Sequence, residues 1–142
     1  MSLARVPGAG DTRAMDQSQI DRYMRGFDAF RRGDLEAWLE EAPDEWHTTS
    51  TFPGVEPVYR GREGLTALWE FMRAPWEMEA EIERVEDLGP KLLVLLTARV
   101  KGKSSGAEAE WKAAHVVSEE GGLTRVKNYL SWEDGLAAVG LS

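Results

Sequence analysis

Five consecutive apolar residues, Leu92, Leu93, Val94, Leu95 and Leu96, sit in a stretch closed by Gly89-Pro90 on one side and by the glycine-bearing residues 102–106 on the other. A run this short and uninterrupted, bounded by turn residues, reads as a central strand covered on both faces. Two further strands follow at residues 107–118 and 123–132, joined by Glu119-Glu120-Gly121-Gly122 as a hairpin. Upstream, Trp76, Met78, Ala80 and Ile82 alternate with Glu77, Glu79, Glu81 and Glu83, the two-residue period of a strand, although Met78, Ile82 and Val85 also fit a helix. Residues 46–52, rich in Thr and aromatics and stopped by Pro53-Gly54, read as another strand, with a brief extended piece at Val58 and Tyr59.

The remaining segments are helical. Ile20, Tyr23, Met24, Phe27 and Phe30 recur at three- and four-residue spacing, with Asp16 and Gln19 as a capping box and Gly33 as the stop. Asp34 caps a second helix carrying Leu35, Trp38 and Leu39, which ends before Pro43. A third places Leu65, Leu68, Trp69 and Met72 on one face up to Pro75, and Ser131 with Asp134 suits the start of a short terminal helix. Residues 1–15 read as a flexible tail and residues 16–142 as a single α+β domain, a usual length for one core.

Composition narrows the function classes. Lys plus Arg number 17 against 25 Asp plus Glu, and the resulting net charge of −8 repels phosphate backbones and anionic membrane surfaces. Neither nucleic acid nor membrane is therefore expected as a partner. Six Trp in 142 residues point to a concave apolar interior. Cysteine is absent, which removes thiolate ligands and thiol nucleophiles and fits a cytoplasmic address. The row of four Glu could suggest a cation site, but same-face carboxylates without His or a glycine-bearing loop are usually a solvated strand face. No metal and no cofactor is expected. Instead, this row is expected to face Lys112, Arg125 and Lys127 on the outer sheet surface, within one subunit or across a dimer.

A two- or four-residue loop at 119–122 pairs odd positions of the first hairpin strand with even positions of the second. Trp111, Ala113, His115 and Val117 then share a face with Thr124, Val126, Asn128 and Leu130. This mainly apolar set is assigned to the concave side, leaving one imidazole and one carboxamide in an apolar hollow, as in a small-molecule site. Lys112, Ser118, Arg125, Lys127 and Tyr129 collect on the other face. On the earlier strand Trp46, Thr48, Ser50 and Phe52 form the more apolar row, so His47 points outward.

The order helix, helix, strand, helix and four strands resembles the nuclear transport factor 2-like (cystatin-like) superfamily and, within it, the SnoaL-like, polyketide cyclase-like branch. The resemblance rests on Glu45-Trp46-His47, Val58-Tyr59-Arg60-Gly61-Arg62-Glu63-Gly64, Ala114-His115-Val116 and the ending Gly135-Leu136-Ala137-Ala138-Val139-Gly140-Leu141. It implies a cone in which a curved antiparallel sheet wraps around about three helices and encloses a pocket, and a homodimer formed through the outer sheet face. The chain departs from the branch at Val117, where an aromatic is frequent, and at Ser131, where an Asp often closes the last strand.

The candidate site is then His115 as acid/base and Asn128 as an orienting group, with Trp111, Trp69, Trp46, Thr48, Tyr59, Tyr23, Val126 and Leu130 as ligand-binding wall. Tyr23 and Tyr59 have two readings, hydroxyls placed near the pocket mouth or rings packed on the core. His115 has a structural reading as well, a buried ring satisfied by a hydroxyl or by Asn128. Steroid-isomerase relatives use a first-strand Asp as base, yet no Asp or Glu lies between Trp46 and Val55, and no inward Asp-Arg-Asp set serves epoxide hydrolysis. Two functions stay open: a cyclase or isomerase acting on an apolar ring-containing substrate, or a non-catalytic protein that binds a small apolar molecule or serves as a dimeric scaffold.

Overall fold

The computed structural model describes residues 15–48 and 57–141. The elements run α1 (Gln17–Arg32), α2 (Leu35–Glu41), β1 (Glu45–Thr48), β2 (Val58–Arg60), α3 (Gly61–Arg73), β3 (Trp76–Asp87), β4 (Lys91–Gly102), β5 (Glu108–Glu120), β6 (Leu123–Tyr129) and α4 (Trp132–Ala138). The strands form one sheet in the order β2-β1-β6-β5-β4-β3. The result is the α+β cone that the resemblance implies.

Local chemistry sets the helix ends. The Asp16 carboxylate accepts from the Gln19 amide N–H at 3.0 Å while the Gln19 side chain accepts from the Asp16 N–H at 3.2 Å, completing the capping box. Gly33 closes α1 at φ 73°, a conformation that a residue with Cβ adopts only at a cost. The expected tail overlaps the fold at one residue: Met15 is buried in the core, and its amide donates to the Gly89 carbonyl. Residues 1–14 lie outside the described structure, as do Ser50, Phe52, the Pro53-Gly54 turn and Val55.

β4 is covered on both faces, as its apolar run requires. Leu92, Val94 and Leu96 pack with Trp38, Leu65, Leu68 and Trp69 from α2 and α3, while Leu93 and Leu95 pack with Ala114, Val116, Trp132, Leu136 and Val139. Three helices thus line the concave side and the fourth, α4, closes the apolar part of the convex side. Residues 130–132 do not extend β6; Ser131 accepts from the Asp134 N–H at 3.1 Å and starts α4 there. The backbone of α4 comes so near the sheet at Gly135 that a Cβ built there would lie 2.3 Å from the Ala114 Cβ.

Two features differ from the sequence expectation of an antiparallel sheet with charges paired across it. The β1–β6 ladder is parallel, Trp46 opposite Val126 and Thr48 opposite Asn128, because β1, antiparallel to its chain neighbour β2 on one side, meets on its other side the last strand, which is distant in the chain. The acidic row runs along β3, an edge strand paired only to β4. Its partners are therefore on β4: Glu81 pairs with Arg99 at 3.5 Å, and Thr97 Oγ1 donates to Glu83 at 2.8 Å while accepting from Lys112 Nζ at 3.0 Å. Arg125 and Lys127 sit on β6, two strands further away than β4 from that edge. Arg125 instead binds Glu45 at 2.9 Å and Glu120 at 2.5 Å.

Glu45 ties three strands together. It accepts from His47 Nε2 at 3.0 Å, from Arg60 Nε on β2 and from Arg125 Nε on β6, both at 2.9 Å. The His47 hydrogen bond, then those from the two arginines, hold its carboxyl at about 2. His47 is thereby occupied on the outer face, as alternation from Trp46 predicts.

Gly135→Ala should push α4 off the sheet and lower the unfolding free energy by about 1–3 kcal/mol, the usual range for overpacking. Urea denaturation checks this, and adding Ala114→Gly should recover part of the loss. An unchanged midpoint in the single variant would show that α4 is not seated this closely.

Candidate active site

The β5–β6 hairpin turns through Gly121 and Gly122 alone, both at positive φ, 57° and 82°. A two-residue loop of this kind fixes the register, here Glu119 opposite Thr124, Val117 opposite Val126 and His115 opposite Asn128. The one described bulge of this sheet lies in β3 between Ile82 and Arg84, so it leaves the hairpin parity intact. His115, Ala113 and Trp111 consequently share the concave face with Val126, Asn128 and Leu130.

These side chains line a cavity of about 590 Å³ between sheet and helices. Of the sequence-derived wall, Trp46, Thr48, Tyr23, Tyr59, Trp111, Val126 and Leu130 line it together with His115 and Asn128. Trp69 does not. It is 7% exposed and sits behind the wall, 5.3 Å from the Trp38 ring and 5.4 Å from the Phe30 ring, with the Arg73 guanidinium 5.0 Å over it. The apolar face of α3 turns toward α1 and α2 at that point, which helical spacing alone does not reveal. Val117 and Thr124 share the concave orientation but fall outside the lining.

The polar pole is compact. Tyr23 Oη lies 2.7 Å from His115 Nδ1, so this hydroxyl sits against the imidazole rather than at the mouth. Trp46 meets the same ring edge-on at a centroid distance of 4.9 Å. His115 is 8% exposed. Burial pushes its pKa down to about 4, partly opposed by a side-chain hydrogen bond with Asn128, so the ring is neutral at pH 7. Burial also raises the Tyr23 phenol above its ordinary value. Both groups are thus held uncharged.

Residues that sequence reasoning missed also form the wall, among them Phe27, Phe30, Trp38, Leu68, Phe71, Met72, Trp76 and Met78. The alternation of β3 carried a signal for Trp76, Met78 and Ala80, all of which line the cavity from one strand face. Phe71, Leu130, Trp111 and Trp76 are exposed by 74%, 53%, 38% and 37% and form an apolar rim. Among the described residues the only carboxylate in the lining is Glu41, whose Oε2 accepts from Arg25 Nε at 2.5 Å. That hydrogen bond lowers its pKa and keeps it ionised and paired. Among the described residues no three of His, Asp or Glu converge as a metal-binding set, and no helix is long and apolar enough to cross a membrane.

Comparison with known proteins agrees with this geometry. No curated protein matches the sequence significantly, but many solved structures share the fold. A nuclear transport factor 2-like protein of unknown function from Burkholderia pseudomallei is 22% identical with a TM-score of 0.68, the alignment covering 86% of this chain and 97% of that one. TerC, co-crystallised with polyporic acid, is 21% identical with a TM-score of 0.66, over 87% and 96% of the two chains. A Mycobacterium tuberculosis protein in complex with estradiol-17β-hemisuccinate is 12% identical with a TM-score of 0.65, over 83% and 97%. These likenesses establish the fold. The SnoaL-like domain model matches residues 21–126, most of the chain and most of the cavity wall, and the protein therefore belongs to the SnoaL-like domain family, with the fold seen in nuclear transport factor 2-like structures.

Proposed function

We propose that this protein binds an apolar, ring-containing small molecule in the cone and acts on it by cyclase- or isomerase-type chemistry at the pole formed by His115 and Asn128. The observation that carries this reading is a single imidazole, paired to a hydroxyl, at one end of a mainly apolar cavity of about 590 Å³. Such a hollow matches the usual size of small-molecule sites, where a few polar groups orient a mainly apolar ligand. Two neighbours of the same fold were crystallised with polyporic acid and with estradiol-17β-hemisuccinate, both ring compounds. With its pKa depressed, His115 would act on substrate as a neutral hydrogen-bonding group or weak base rather than as an imidazolium acid.

That same depression favours a second reading, in which the cavity binds and holds the compound without turning it over. A ring engaged by Tyr23 has less freedom to shuttle protons than one open to substrate. The homodimer and the cytoplasmic address belong to either reading. A dimer through the outer sheet face would use its charged part, around Arg99, Lys112 and Arg125, since α4 already covers Leu93, Leu95 and Val116.

A thermal-shift screen with aromatic and polyketide-like compounds should yield ligands that raise the midpoint, because a molecule bound only by the native state stabilises it. Complete indifference to such compounds would count against the binding reading. For any compound that is turned over, His115→Ala should reduce kcat by about a hundredfold or more if the ring takes part in proton transfer, whereas unchanged turnover would remove His115 from the chemistry.

The neutral ring also predicts a pH dependence. Its folded-state pKa of about 4 lies below the ordinary value of 6.5, so its contribution to stability is complete above pH 6.5 and is lost as the pH falls through 4. The loss is on the order of 3 kcal/mol. Denaturation curves at pH 8 and pH 4.5 should show a large part of this fall in the native protein and a smaller fall in His115→Gln. Equal falls in the two would mean that the imidazole is not buried as described.

A further inference from the structure

Hydrogen-bond accounting at the polar pole assigns a role to Tyr23. A neutral imidazole carries one N–H and one lone pair, and a phenol carries one O–H. Tyr23 Oη is 2.7 Å from His115 Nδ1, and among the described residues that is the hydroxyl's one hydrogen-bond partner. The phenol therefore donates to Nδ1, which leaves that nitrogen bare and puts the ring's only proton on Nε2. Asn128 stands directly opposite His115 in the ladder and lines the same cavity, adding the N–H pair of its carboxamide to the pole.

We propose that Tyr23 is a positioning residue: by donating its O–H to Nδ1 it fixes His115 in the Nε2–H form and makes the polar pole a hydrogen-bond donor, selecting neutral ring compounds that carry a carbonyl oxygen. Charge in the lining supports the same class. Among the described residues no Lys or Arg lines the cavity, so a carboxylate ligand would lose its hydration without gaining a counter-ion there. The one carboxylate in the described lining, Glu41, is already held by Arg25, so an ammonium ligand finds no free partner in it. The inference rests on the binding reading above and deepens it by naming the ligand's polar group.

Two measurements test it on the full-length protein. Long-range 1H–15N correlation at pH 7 should show His115 protonated on Nε2 and bare on Nδ1; a dominant Nδ1–H form overturns the proposal whatever binds. Calorimetric titration with 9-fluorenone and with fluorene, which share a ring frame and differ in the carbonyl, should give about tenfold tighter binding of the ketone. In Tyr23→Phe, which keeps the aromatic body, that ratio should fall below about threefold, and the Nε2–H form should lose its dominance. Equal binding of the two compounds by the native protein overturns carbonyl selection while leaving the cavity reading standing. Failure of both to bind overturns both. Undiminished discrimination in Tyr23→Phe removes Tyr23 from the positioning role. Should that variant fail to fold, the tautomer and the ratio measured on the native protein still decide the proposal.

Discussion

The register of the β5–β6 hairpin is the constraint on which the rest of the site depends. Two glycines in positive φ make the shortest turn the chain can take there, and that turn settles which residues of two strands face the helices. A slip of one residue would send either His115 or Asn128 to the charged convex surface and bring Lys112 or Lys127 into the hollow. The slip is opposed at both ends. Val117 and Val126, opposite one another, are 1% exposed on the concave side, while Ala114 lies under Gly135 of α4 on the convex side.

Within that frame the molecule separates two kinds of polar chemistry. On the convex face, charges are paired in numbers and near water: Glu45 with His47, Arg60 and Arg125, and Arg99 with Glu81 and Glu110. Exposed pairs of this sort contribute little stability each, but they link neighbouring strands. On the concave face, polar groups are few and neutral, and the hydrogen bond between Tyr23 and His115 compensates part of the cost of burying both. An aromatic series from Trp69 through Trp38 and Trp46 runs up to the imidazole with centroid distances of 5.3, 6.5 and 4.9 Å. This series fixes the ring's surroundings from the helical side.

Much of this was legible from residue order because strands carry their own coordinates. Once Gly121-Gly122 is read as a tight turn, alternation alone assigns His115, Asn128, Trp111 and Leu130 to one face, and β1 follows through Trp46 and Thr48. Helices are less explicit. The spacing of Tyr23 in α1 shows that it faces the interior, but its bond to a residue 92 positions away depends on how α1 is rotated over the sheet, which is a property of packing. Trp69 illustrates the same limit from the other direction, since its helical face meets other helices rather than the cavity. The parallel β1–β6 ladder and the landing of α4 on Ala114 are likewise long-range arrangements, marked in sequence only by a glycine at position 135.

The central claim is that a neutral His115–Asn128 pair, braced by Tyr23, is the polar end of an apolar ligand site. A crystal structure of the protein with 9-fluorenone bound tests it most directly. The account predicts the ketone oxygen within hydrogen-bonding distance of the Asn128 amide nitrogen or of His115 Nε2, with the rings against Trp46 and Trp111. A ketone seated with its oxygen toward the rim at Phe71, or bound outside the cone altogether, would contradict it.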